Sequence, residues 1–179
     1  NWSKDNGAVL VKWLPNIQDM DPSNERYIPY YKKIIELDLP LLVHTGNEES
    51  FTRTNDRLGD PELLRLPLSL GVKVIAAHVA SSGKSDGYEN IDRLLAMMDE
   101  FPNLYADISS LTQINKRKNL GKVINDKRLK GRLLYGTDYP LINTVIVNPI
   151  QYLLNLNLKQ LKDLIFTRNP WDRDVKLKS

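Results

Sequence analysis

The chain has 179 residues, 41% of them hydrophobic and 26% charged, a composition typical of a soluble globular protein with one core. The net charge of +3 and the scattered basic residues do not favour nucleic-acid binding, and the absence of cysteine excludes disulfides and thiolate metal sites. No apolar stretch approaches the roughly 20 residues of a membrane span, so we expect one cytoplasmic domain over residues 1–179 that binds a small-molecule substrate and neither nucleic acid nor membrane.

Strand-like and helix-like segments alternate along the chain. The predicted strands cover residues 8–14, 41–46, 74–78, 104–109 and 132–138. Helical periodicity and cap signals predict helices over about 25–37, 61–70, 89–100 and 113–126, with one or two more between 153 and 165. Because each strand is followed by a helix, we predict an α/β fold of about five βα units, with parallel strands joined by right-handed crossovers.

Polar residues mark the ends of the predicted strands. They are Lys12, His44, His78, Ser109 and Asp138, and successive members lie about 30 residues apart, the size of one βα unit. In parallel α/β proteins, functional groups gather at the carboxyl ends of the strands. The only two histidines of the chain and an aspartate fall at such ends. The spacing therefore predicts that these three side chains share one site.

Two imidazoles and a carboxylate have the chemistry of a metal site. They suit a divalent ion such as zinc, bound at about 2.0–2.2 Å. We expect His44 and Asp138 to be ligands, and Asp138 to accept a proton as a metal-activated water attacks the substrate. His78 is either a third ligand or a catalytic group that polarises the substrate oxygen or orients the water. Taken singly, each histidine also fits a hydrogen-bonded core position, and Asp138 also fits a turn cap.

Three further charged residues are candidates for contact with the substrate. Lys12 ends the first predicted strand, where its amine can bind an anionic group, bridge two metals as a carbamate, or simply reach water. Glu48 and Arg53 lie in a polar loop over 47–58, which is longer than the usual connection of about 2–6 residues. Loop charges are commonly solvated, but loops also carry substrate contacts, so both interpretations stay open.

Several segments together resemble the amidohydrolase superfamily, and within it the amidohydrolase-2 type of metal-dependent hydrolase. They are residues 11–15, 39–46, 76–78, 103–109 and 135–140. Their order and spacing resemble strands four to eight of that family's (β/α)8 barrel. The resemblance implies a partial TIM-like barrel that lacks the first strands. It also implies that His44 is the strand-five metal ligand, His78 the strand-six histidine, and Asp138 the strand-eight ligand and proton acceptor.

The chain departs from the family pattern at the first strand. That strand carries a His-x-His pair that supplies two metal ligands, and no such pair occurs in this sequence. A barrel of this type has about 250 residues, so we interpret the chain as the carboxyl-terminal part of a barrel, either a fragment or a natural truncation. We expect weak or absent metal occupancy and no activity for the isolated chain. Its open sheet edges predict a homo-oligomer or association with the missing amino-terminal segment.

Other functions compete with a metal-dependent hydrolase. The superfamily contains decarboxylases as well as hydrolases. A chain without the His-x-His pair also fits a non-catalytic remnant that binds a ligand or forms a subunit interface. An open doubly wound sheet of another class is disfavoured, because no Gly-rich phosphate loop follows any predicted strand.

Overall fold

The computed structural model describes residues 1–48, 54–112, 116–138, 152 and 154–178. The chain divides into two compact units, which we name the sheet unit and the terminal unit. The sheet unit comprises Asn1–Asp107 and Asp126–Leu134, and the terminal unit comprises Ile108–Asn125 and Tyr135–Ser179. The expectation of a single domain over residues 1–179 stays a prediction.

A parallel sheet forms the centre of the sheet unit. The strands of this unit are β1 Val11–Trp13, β2 Leu41–His44, β3 Val74–Ala77, β4 Lys84–Ser85, β5 Tyr88–Glu89, β6 Leu104–Asp107 and β7 Leu133–Leu134. Five of them pair in the order β1-β2-β3-β6-β7, all parallel, while β4 and β5 form a separate antiparallel pair. The order of the parallel strands follows the chain without reversal, as in a (β/α)8 barrel, whereas a doubly wound sheet reverses its order.

Helices connect the strands of the sheet unit and also occur in the terminal unit. The sheet unit contains α1 Trp2–Asp5, α2 Pro15–Gln18, α3 Ile28–Glu36, α4 Arg65–Ser69 and α5 Asn90–Glu100. The terminal unit contains α6 Arg117–Ile124, α7 Leu158–Phe166 and α8 Pro170–Lys178. Among the residues that the structure describes, no helix combines the length and the apolar character needed to cross a membrane.

The two faces of the parallel sheet differ in burial. Side chains alternate between faces along a strand. One face includes Trp13, Leu41 and Val74, which are at most 6% exposed, and the Trp13 ring lies 5.2 Å from the ring of Tyr30 in α3. The opposite face is less covered, since Lys12 is exposed there and its neighbours in the sheet are partly exposed. By alternation, His44 lies on this less covered face.

The fourth and fifth predicted strands are shorter in the structure. The strand predicted over 104–109 ends at Asp107, and left-handed backbone follows at Ser110, where φ is +57°. The strand predicted over 132–138 is regular only at Leu133–Leu134. Residues 84–89 form a hairpin, in which Asp86 and Gly87 adopt the positive φ angles of a tight turn, +51° and +83°.

The carboxyl-terminal tail is helical. Pro170 begins α8, and the Asn169 side chain accepts a hydrogen bond from the backbone N–H of Trp171 at 2.8 Å. Proline is favoured at the first helical position, and asparagine is a favoured cap. The helix predicted over 113–126 is observed as α6, and residues 113–115 lie outside the described part of the chain.

Candidate functional site

His44 is the last residue of β2, and the chain after it is held by a close approach of two glycines. The N–H of Gly46 donates to the carbonyl of Gly59 at 2.8 Å. A Cβ atom on Gly59 would lie 2.1 Å from the Gly46 oxygen, and one on Gly46 would lie 2.7 Å from the carbonyl oxygen of Ser82. Gly46 also has φ +87°, a conformation that L side chains rarely adopt. The loop after His44 can therefore pack this closely only with glycine at both positions.

His78 directly follows β3, where the backbone makes a left-handed turn. The φ angles are +60° at His78, +51° at Val79 and +47° at Ala80. Left-handed angles cost roughly 1–2 kcal/mol per residue for amino acids other than glycine. All three residues are buried, so the surrounding structure must offset this strain.

The turn explains how the two histidines reach each other. Ala77 pairs with His44 in the sheet, so a straight continuation of β3 would direct the next side chain to the opposite face. The left-handed turn instead leaves the His44 and His78 rings side by side, with centroids 5.2 Å apart and planes inclined at 64°. Their exposed fractions are only 5% and 4%. The structure thus brings two of the predicted site residues together in a buried position.

Hydrogen bonds from both neighbouring strands hold the turn. The Asp107 carboxylate, at the end of β6, accepts a hydrogen bond from the backbone N–H of His78 at 2.9 Å. On the other side, the Thr45 hydroxyl donates to the carbonyl of Ala77 at 2.7 Å and accepts from the N–H of Ala80 at 3.1 Å. The left-handed turn is therefore fixed at its first and last residues.

A carboxylate faces the His44 ring. Glu48 Oε2 lies 3.5 Å from His44 Nδ1, and both side chains are at most 8% exposed. The backbone N–H of Glu48 donates to Asp56 Oδ1 at 3.0 Å, and the Asn16 side chain donates to the same oxygen at 3.2 Å. Asp56 thus fixes the start of the loop that carries Glu48. A carboxylate beside one imidazole nitrogen orients the ring and favours the proton on that nitrogen.

Asp138 lies in the terminal unit, at the end of the segment that follows β7. Its φ is +63°, and the segment before it is held by α8. Lys178 Nζ donates to the Gly136 carbonyl at 3.1 Å and to Asp174 Oδ2 at 2.8 Å, and both members of this ion pair are at most 1% exposed.

The Tyr135 hydroxyl also donates to Asp174, at 3.1 Å. Burial, with a further contribution from the Asp174 charge, raises the pKa of Tyr135 to about 12. The terminal unit therefore fixes the backbone that leads to Asp138. The sharing of one site by Asp138 and the two histidines stays a prediction, because the residues belong to different units.

The remaining predicted substrate contacts are less defined. Lys12 is exposed on the same sheet face as His44, two sheet positions before it, because Lys12 pairs with Leu42. Arg53 lies outside the described residues. Ser109, which was predicted to end the fourth strand, is buried in the terminal unit, beyond the end of β6.

Asp107 was missed as a strand-end residue because the fourth strand ends earlier than predicted. The sheet register aligns Leu41 with Val74 and Val74 with Leu104, which places Asp107 in the same layer as His44. The sequence carried a signal for this alignment. Leu104–Asp107 repeats the pattern of Leu41–His44, an apolar run of three residues that ends in a polar side chain.

The amidohydrolase family model matches residues 1–171 of the chain. The chain belongs to the amidohydrolase family. No curated protein matches the chain in sequence. The resemblance noted from the strand-end motifs is therefore confirmed at the level of the family.

An uncharacterised TIM-barrel protein from Bordetella bronchiseptica has a similar structure. The TM-score is 0.64 at 18% identity, and the alignment covers 99% of the amidohydrolase chain and 61% of the Bordetella protein. At this identity the likeness concerns the fold alone. Together with the five-stranded parallel sheet, it confirms the predicted partial TIM-like barrel. The chain spans about three fifths of the length of this structural neighbour.

Amidohydrolases generally use divalent metals, and the described residues fit such a group in part. The adjacent imidazoles of His44 and His78 are suitable nitrogen ligands, and Glu48 adds a carboxylate beside one of them. Within the described ranges, no cluster of three or more histidine, aspartate or glutamate side chains is placed to hold an ion. A complete metal site therefore requires ligands beyond the two histidines.

Proposed function

We propose that this amidohydrolase chain forms part of a metal-dependent hydrolase and supplies its two histidines. The observation that supports the proposal most strongly is the buried contact of the His44 and His78 rings, 5.2 Å apart, at the ends of neighbouring parallel strands. The carboxyl end of the strands is the position at which (β/α)8 barrels carry their active sites. Two core histidines without a function would have no particular reason to lie together at the carboxyl ends of neighbouring strands.

The proposed metal is zinc, held by His44, His78 and Asp138 together with ligands from further strands. When bound, the ion supplies a Lewis acid that acidifies water and polarises a carbonyl group. In the proposal, a carboxylate oxygen of Asp138 accepts the proton that the attacking water loses. Glu48 keeps the His44 ring in one orientation, with Nδ1 directed at its carboxylate.

The proposed substrate contacts come from the less covered face of the sheet and from the loop after β2. Lys12 offers an ammonium group on that face, which suits an anionic part of a small-molecule substrate. Glu48 and Arg53 are proposed to contact the substrate from the loop. The contact of Glu48 with the His44 ring limits its freedom, so we assign it mainly to ring orientation.

We also propose that further strands complete the barrel. Within the described residues, β1 and β7 are the outer strands of the parallel sheet, and Val9, just before β1, is 76% exposed. An open edge of this kind can accept another strand. The proposed source is a second copy of the chain or an amino-terminal segment. If a second copy completes the barrel, light scattering should give a mass above that of one chain, whereas a stable monomer would contradict that source and leave the amino-terminal segment.

Metal binding tests the proposed function directly. Zn²⁺ is titrated into the wild-type chain and into His44→Asn and His78→Asn by isothermal calorimetry. Each substitution removes one of the two nitrogen ligands, so we expect each to weaken Zn²⁺ binding by at least about tenfold, the range seen when metal sites lose supporting groups. Because the described residues contain no group of three or more ligands placed to hold an ion, wild-type binding should itself be weak.

A matched control separates this site from adventitious binding. Glu36 is an exposed carboxylate on α3, and Glu36→Gln should leave Zn²⁺ affinity unchanged. Equal Zn²⁺ affinities for the wild type and the three variants would contradict the proposed metal site. Catalysis is tested by chelator-sensitive hydrolysis of a panel of esters, lactones and amides. Asp138→Asn is expected to lower both the rate and the Zn²⁺ content, because the proposal makes Asp138 a ligand as well as the proton acceptor.

A further inference from the structure

We propose that Asp107 is a positioning residue for the site: its carboxylate sets the direction of the His78 imidazole through the backbone of the left-handed turn. This inference extends the proposed function, and its test by Zn²⁺ affinity rests on that function. It assigns a role to a residue that the ligand set does not include.

The register of the sheet sets the direction of the side chains at the ends of β2 and β3. His44 and Ala77 are paired, so both side chains point to the same face. His78 is one residue further along and reaches the His44 ring only because its own φ is +60°. Any change that returned this backbone to an extended conformation would carry the imidazole away from His44.

A hydrogen bond between Asp107 and the His78 backbone holds this conformation. Asp107 Oδ1 accepts the His78 N–H at 2.9 Å, and both residues are at most 8% exposed. A hydrogen bond between a buried carboxylate and a backbone N–H is stronger than one between neutral groups. Because the N–H belongs to the first left-handed residue, the bond acts on the torsion that directs the ring.

The two ends of the turn are held by different residues. Asp107, at the end of β6, contacts the backbone of His78, and Thr45, just after β2, holds the other end. Thr45 Oγ1 accepts the Ala80 N–H at 3.1 Å. The two supports act on different residues of the turn. Loss of the Asp107 contact therefore acts on His78 itself, whereas loss of the Thr45 contact acts on the residue two positions later.

The test uses Asp107→Ala and Asp107→Asn in the metal-free protein. Because the chain has only two histidines, the imidazole signals of His44 and His78 can be assigned by NMR once His44→Asn has removed one of them. We expect a nuclear Overhauser effect between the two rings in the wild type and its loss in Asp107→Ala. Asp107→Asn keeps an oxygen that accepts the His78 N–H, so this variant should retain the effect. If Asp107 had only a general structural role, its substitutions would not change the signals of the His78 ring selectively. A difference between the two variants at the His78 ring, with unchanged signals of the His44 ring, therefore indicates a positioning role.

Zn²⁺ affinity provides the second readout. Asp107→Ala should weaken binding at least about tenfold, and Asp107→Asn should restore most of the loss. Should the wild type bind no Zn²⁺, the proposed function fails while the ring contact still tests the positioning role. Unchanged ring contact in Asp107→Ala would overturn the inference. So would loss of Zn²⁺ binding in Asp107→Asn with the ring contact preserved, since Asp107 would then act as a ligand.

A measurement on the wild type covers the case in which Asp107→Ala does not fold. The His78 backbone amide should be protected from hydrogen exchange and shifted downfield by the carboxylate. A rapidly exchanging His78 amide would contradict the inference without any variant.

Discussion

The ends of β2 and β3 carry the two histidines in different ways. Both strands have four residues with the same pattern of burial, and they pair in register from Leu41 with Val74 to His44 with Ala77. His44 belongs to its strand and is directed by ordinary alternation. His78 lies one residue beyond its strand and is directed by three successive left-handed residues. One ring therefore follows from the strand itself, whereas the other depends on side chains of two neighbouring strands.

The largest expected effect concerns the end of β2. Gly46→Ala places a methyl group 2.7 Å from the Ser82 carbonyl oxygen at φ +87°. Strain and overpacking each contribute roughly 1–3 kcal/mol, so we expect the free energy of unfolding to fall by about 3 kcal/mol or more. Denaturant unfolding measures this change.

Gly7→Ala is the matched control for that substitution. Gly7 also has φ +87°, but a Cβ atom there would meet nothing within 4 Å. Only the backbone strain remains, about 1–2 kcal/mol. Equal losses at the two glycines would show that the close packing after His44 contributes nothing to stability.

Thr45→Val tests the link between the two strand ends. Valine matches the shape of threonine but can neither donate to the Ala77 carbonyl nor accept from the Ala80 N–H. Loss of one partner from a buried hydrogen bond costs about 1–3 kcal/mol, and we expect destabilisation in that range. Thr45→Ser keeps the hydroxyl and should lose less. A valine variant as stable as the serine variant would contradict the proposed link.

The smallest effect compares two buried alanines on either side of His78. Ala77 has φ −65° and Ala80 has φ +47°, and both are at most 1% exposed. Ala77→Gly should cost about 1–2 kcal/mol, from the lost methyl group and the more flexible unfolded chain. At Ala80 the relief of left-handed strain, roughly 1–2 kcal/mol, should offset most of this cost. Equal losses measured by denaturant unfolding would mean that the turn is not strained.

The difference between His44 and His78 also shows which features could be predicted from the sequence. The apolar run that ends at His44 and the break at Gly46 identify a strand and a site residue directly, and the spacing of about 30 residues predicts the parallel βα order. The turn after β3 could not be predicted, because Val79 and Ala80 are not residues that favour left-handed backbone. Their conformation depends on Thr45 and Asp107, about 30 residues away on either side in sequence.

The terminal unit shows a related limit. Asp174 and Lys178 form a buried ion pair near the carboxyl terminus. Charges with i,i+4 spacing are also common on exposed helices, so the spacing alone does not indicate burial. The contact of Lys178 with the Gly136 carbonyl is a tertiary feature that local patterns do not contain. The assignment of Asp138 therefore rests on its spacing and on the family resemblance.

The most direct test of the account is an NMR titration of the two imidazoles with Zn²⁺. His44 and His78 are the only histidines in the chain, so their ring signals report on the proposed site without interference. If they form one site, both rings should respond together, over the same range of Zn²⁺ concentration and with one ion per chain. A response of only one ring, or of the two rings at clearly different concentrations, would contradict a shared site.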